Sequence, residues 1–229
     1  MSSRSLAAPV TTDDHAQGKA DAAVTLVQYG DYECPYTRLS RHTVHELQRE
    51  FSDSLRFVFR HFPLEEIHPH ARAAATAAEA AGAQTDFWTM HEYLFERQKA
   101  LKDADLRSYA IELGLDAGRF ERDRTSPEIA RRIDRDLASG ERSGVQGTPT
   151  FYVNGIRHDA GYGPGEPAPG DRRQHGTDGK GTLNASVHAS RPGSRCTTEN
   201  TRGLRGVPAH RQLVGAPAAV PELRSCWLL

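Results

Sequence analysis

Cys34 is the residue whose type and setting point most directly to covalent chemistry in this chain. It lies in the stretch Asp31-Tyr32-Glu33-Cys34-Pro35-Tyr36-Thr37. Pro35 suits the first position of a helix, because the N–H that proline lacks would go unpaired there anyway. The sulfur is then placed at a helix mouth. Unpaired N–H donors and the positive end of the helix dipole favour a thiolate over a thiol at such positions. The thiolate is the form that attacks disulfides. Glu33, Pro35 and Tyr36 are not the apolar flanks of an inert core cysteine. Thr37, three residues on, offers the sulfur a hydroxyl as a supporting hydrogen-bond donor.

The elements that must hold this site are legible on either side. Val24 to Tyr29 is a short β-branched run that reads as a buried strand, broken by Gly30 and Asp31. Val44, Leu47 and Phe51 give the following helix an inner face. Leu55 to Arg60 is a second strand, expected parallel to the first because a helix connects them. Far along the chain, Thr148-Pro149 opens a β-rich run that ends at Asn154-Gly155. Asn-Gly is a strong hairpin signal, and a proline is tolerated where a strand begins.

These two motifs together resemble the thioredoxin superfamily, and within it the DsbA-like branch of disulfide oxidoreductases. The resemblance runs from about residue 22 to residue 163. It implies an α/β fold, thioredoxin-like, with an inserted helical subdomain over about 65–140. It also implies that Pro149 is cis and packs against Cys34, and that the backbone at Thr148 is free to pair with an extended substrate. One departure matters. Redox-active relatives carry two cysteines in the motif, whereas here Thr37 stands in the second place, so an internal disulfide cannot form within the motif. The expectation is monothiol exchange: Cys34 as nucleophile, Pro35, Tyr36 and Thr37 in support, Thr148 and Pro149 shaping the substrate groove. The expected substrates are protein or peptide disulfides or glutathione adducts, with glutathione as a co-substrate and no other cofactor. Two alternatives stay open: a glutathione-dependent transferase or isomerase on the same scaffold, and a non-catalytic peptide-binding module.

Between the second strand and Pro149 the pattern is helical. Residues 69–83 are alanine-rich. A helix over 86–99 carries Phe87 and Leu94. Asp103 and Asp116 are expected to cap the next two helices, and Ser126-Pro127 to start a last one with Ile129, Ile133 and Leu137 inward. Trp88 and Tyr93 read as structural. His61, His68, His70 and His91 show no ligand spacing with a cysteine or carboxylate, so no metal is expected. Asp31, Glu33, Glu65 and Glu66 read as solvated loop charges.

The chain has 229 residues and a formal net charge of -1, which points to neither a nucleic-acid nor a membrane-surface partner. No apolar run approaches the ~20 residues of a membrane span. Residues 1–21 read as a flexible polar leader without the apolar core of a secretory signal, which sets the cytoplasm as the expected compartment. The hydrophobic fraction of 37% is low for a fully packed chain. From residue 164 to 229, Gly, Pro, Arg, Ser and Thr dominate and periodicity disappears, so this tail is expected to be disordered. Its abrupt onset reads as an extension or a shifted reading frame joined to a truncated domain. Cys196 and Cys226 lie in it, in settings that do not suggest a resolving thiol.

Overall fold

The structure, a computed structural model, describes residues 5–158. The expected tail, Cys196 and Cys226 fall outside that range. A five-stranded sheet runs in the order β1 (His15–Gln17), β3 (Leu55–His61), β2 (Val24–Gly30), β4 (Thr150–Val153), β5 (Ile156–His158). The β2 and β3 strands are parallel with Val24 opposite Leu55, as the helical connection requires, and the other pairings are antiparallel.

Six α-helices lie among the described residues: α1 (Pro35–Phe51), α2 (Ala71–Gly82), α3 (Phe87–Glu96), α4 (Asp103–Glu112), α5 (Ala117–Arg124) and α6 (Pro127–Ser143). The last five form the inserted block. This is an α/β fold of thioredoxin type with a helical insertion. Asp86, Asp116 and Ser126 cap their helices by accepting from backbone N–H groups three residues on. Asp103 does not cap α4. It is the first helical residue, and the Lys102 N–H is taken up by the Asp105 carboxylate instead.

Both faces of the sheet are covered, which explains why β2 and β3 are buried almost throughout. On one face Gln28 reaches Ser40 of α1, and Phe59 packs against Phe87, His91 and Phe95 of α3. On the other, Val27, Tyr29, Val58 and Tyr152 form a core with Phe62 and Val145, and the Tyr29 hydroxyl meets Ser139 of α6. The β4–β5 turn has positive φ at both Asn154 and Gly155, as a two-residue hairpin of this hand requires.

The expectation of a flexible leader over 1–21 does not fit residues 5–21. Strand β1 pairs with β3, and Leu6, Val10 and Ala16 pack on the core. The cause is Arg60, only 3% exposed on β3. All five of its N–H groups are taken: by both Asp14 carboxylate oxygens, by the Ala8 and Pro9 carbonyls, and by the Tyr29 hydroxyl. A buried guanidinium needs such partners, and the N-terminal segment supplies most of them.

Candidate functional site

Cys34 is the residue that caps the N-terminus of α1, in extended backbone conformation, with Pro35 at the first helical position. It is a free thiol, 3% exposed. Its Sγ donates to the Thr148 carbonyl at 3.1 Å, and the Thr148–Pro149 peptide bond is cis. Two motifs 114 residues apart in sequence therefore meet at one sulfur. The Thr148 hydroxyl is buried with no hydrogen-bond partner among the described residues, an uncommon condition for a polar group.

The turn that presents Cys34 is held from three sides. The Cys34 N–H donates to the Asp31 carbonyl at 3.2 Å. Asp31 is not a solvated loop charge: it is 2% exposed, and its carboxylate accepts from the Glu33 N–H, the Leu64 N–H and His68 Nδ1 at 2.8–2.9 Å. Glu33 likewise accepts from the His70 N–H. From the helical block, Gln98 Nε2 donates to both the Tyr32 and the Cys34 carbonyls, at 2.7 and 2.9 Å. Neither the Asp31 anchor nor the Gln98 clamp is readable from local pattern, since each joins loops far apart in sequence.

Thr37 is fully buried, and its hydroxyl accepts from the Asp31 N–H at 3.4 Å. That bond uses a lone pair of the oxygen and not its hydrogen, so it does not compete with donation to the sulfur. Gly30 is demanded here: a Cβ would lie 2.4 Å from the Phe59 ring and 3.0 Å from the Thr37 methyl. Tyr36 is half exposed and Leu39, one turn along, is more so.

Beneath the site, Tyr32 packs against Phe59 and Phe95, and its hydroxyl lies 3.0 Å from His91 Nδ1. Burial, then the repulsive field of Arg41, holds the His91 imidazole well below its usual pKa, so the ring is neutral. Burial, with the charges of Glu79 and Glu92, pushes the Tyr32 phenol up. The bond therefore joins a neutral phenol to a neutral imidazole.

His68 and His91 are thus accounted for as structural partners. His61 is different. Together with His15, which sequence reasoning passed over, it converges on Glu79 of α2, each Nε2 2.8 Å from Glu79 Oε1. Burial would raise the Glu79 carboxyl, but the bonds from His15 and His61 outweigh it and hold it far below the usual carboxylate range.

Comparison with known proteins follows the same lines. The sequence profile of a family described as Thioredoxin matches residues 10–164. A thioredoxin-like oxidoreductase from Silicibacter pomeroyi DSS-3 is similar at 28% identity with a TM-score of 0.59, over 64% of this chain and 83% of that one. BdbD from Bacillus subtilis is similar at 24% identity with a TM-score of 0.58, over 69% and 88%, a likeness of fold alone. The first of these, with the family match, supports oxidoreductase chemistry in general. Among curated relatives, Na(+)/H(+) antiporter NhaA 1 of Salinispora arenicola is 47% identical over 158 residues, 69% of this chain and 24% of the relative. The chain spans about a quarter of the length of the curated relatives it matches.

These relatives correct the functional expectation. Proteins 41–47% identical to the chain are named sodium–proton antiporters. A free-standing enzyme using Cys34 on protein disulfides or glutathione adducts does not account for that likeness, and neither do the glutathione-dependent and peptide-binding alternatives. No helix among the described residues is long and apolar enough to cross a membrane, so the transport named for the whole relative is not read onto them. What the profile match and the fold establish together is that this chain belongs to the thioredoxin family, in its DsbA-like form.

Proposed function

We propose that the chain is the thioredoxin-fold part of a sodium–proton antiport system, and that Cys34 gives that system a thiol-responsive site. The observation that carries this reading is the identity of 41–47% to proteins named as antiporters. The geometry supports the chemical half. Cys34 stands at the N-cap position of α1 with its sulfur on the Thr148 carbonyl, and Thr37 supplies no second sulfur. Exchange then proceeds one bond at a time. The Cys34 thiol loses its proton to solvent, its sulfur attacks a disulfide, one S–S bond forms as another breaks, and the expelled sulfur leaves as a thiolate. The mixed disulfide persists until a thiol arrives from outside. That suits a lasting mark of redox state on a transporter better than repeated turnover.

The test is sodium-driven proton exchange in everted membrane vesicles carrying an antiporter from the same genome. It is measured with the chain, with Cys34→Ser, and without either, under reducing and disulfide-containing buffers. Antiport should respond to the buffer only when the unaltered chain is present. Equal rates in all arms would end the reading.

A further inference from the structure

We propose that His15, His61 and Glu79 form a binding site for a borderline divalent cation of the zinc class. The three side chains come from β1, β3 and α2. Their ligand atoms, two imidazole Nε2 and one carboxylate oxygen, lie within 4.8 Å of one another. His61 is 1% exposed and Glu79 6%, while His15 at 17% forms the outer wall. A cleft of about 580 Å³ opens on His15 and Glu79, with Asp13 and Arg132 at its rim. The site is thus closed behind and open in front.

The donor set selects the ion. Two imidazoles and one carboxylate with water in the fourth position is a known arrangement for Zn²⁺. Calcium and magnesium prefer all-oxygen shells. Tetrahedral bonds of about 2.1 Å would place neighbouring ligand atoms about 3.4 Å apart. The observed 2.8 Å contacts are therefore a slightly contracted form of the same arrangement. The His15 ring is held by stacking on Phe87 at 3.4 Å. For His61 to ligate through Nε2, its hydrogen must move to Nδ1. That nitrogen has no hydrogen-bond partner among the described residues. Either tautomer leaves it unpaired, so the change adds no new unpaired group.

Arg132 Nε also lies 2.8 Å from Glu79 Oε1, and the same side chain reaches the Asp13 carbonyl. A guanidinium thus takes the cationic place at this carboxylate. Arg132 is a quarter exposed and borders the cleft, so it can turn outward. Metal and arginine compete for one oxygen. This proposal is independent of the role assigned to Cys34.

The experiment is titration of the full, untagged chain with Zn²⁺ against a chromophoric chelator, paired with the visible spectrum of the Co²⁺ form. The expected result is one ion per chain and a tetrahedral Co²⁺ spectrum without a thiolate charge-transfer band. His15→Ala should weaken binding at least about tenfold, since even outer partners of ligating histidines cost 10–100-fold. Arg132→Gln should tighten it. A chain with Cys34, Cys196 and Cys226 all changed to Ser should bind as the unaltered chain does. Binding that survives His15→Ala undiminished, or disappears in the cysteine-free chain, would overturn the proposal.

Discussion

Cys34 Sγ lies 3.1 Å from the carbonyl oxygen of Thr148, so the thiol is tied to the segment that ends in Pro149 before any partner arrives. A disulfide approaching Cys34 must displace that bond or share its space. The Thr148 hydroxyl on the same residue is buried without a partner among the described residues.

The first prediction concerns the missing sulfur. Thr37 is one helical turn from Cys34 and fully buried, its hydroxyl accepting from the Asp31 N–H. Thr37→Cys should close a disulfide with Cys34 under mild oxidation. Peptide mapping should show the pair, and the oxidised variant should reduce and re-form it reversibly. A Thr37→Cys chain that keeps Cys34 free after oxidation would show that the turn does not bring the two sulfurs into range.

Gln98 is the second target. Its amide donates to the Tyr32 and Cys34 carbonyls, and each such bond is worth about 1 kcal/mol net. Gln98→Ala should lower stability by roughly 2 kcal/mol in urea unfolding. It should also speed alkylation of Cys34, because the turn that buries the sulfur is loosened.

The clasp on Arg60 predicts a larger cost. Removing one partner of a buried, fully hydrogen-bonded pair typically costs about 3 kcal/mol. Asp14→Asn should lose roughly that much and expose residues 5–21, β1 included, to protease while β2, β3 and β4 remain paired. Burial alone would raise the Asp14 carboxyl, but the Arg60 bonds and the Thr11 N–H bring it below its usual pKa. A depressed carboxylate contributes stability above its unfolded pKa and loses it as pH falls. This share should therefore be present at neutral pH and disappear below about pH 4.

His91 sets a different window. Burial holds its folded pKa well below 6.5, so the folded protein binds fewer protons than the unfolded chain as pH drops past that value. The urea midpoint should fall between pH 7 and pH 5. His91→Gln, which keeps an acceptor for the Tyr32 hydroxyl and removes the proton site, should flatten that dependence. An equal fall in both proteins would refute the assignment.

Much of this architecture is written in local pattern. The β-branched run of β2, the Pro35 start of α1, the Asp86, Asp116 and Ser126 caps and the Asn154-Gly155 turn each follow from residues adjacent in sequence. So does the pairing of Cys34 with Thr148 and Pro149, through the resemblance those two motifs carry. The rest was hidden for a shared reason. Strand β1 is three residues long and carries no alternation; its pairing with β3 and the Arg60 bonds to the segment before it appear only in the folded chain. Asp31 reads as a loop charge until Leu64 and His68 fold back over it. His15 and Glu79 stand 64 residues apart and meet only in the folded chain. The antiporter relationship has no signature in any motif of the chain.

Gln98 sits within the helical block, between α3 and α4, yet its amide grips the turn that carries the sulfur. The block and the turn are thus geared together. A protein that presses on those helices would have a mechanical lever on the thiol while remaining at a distance from it.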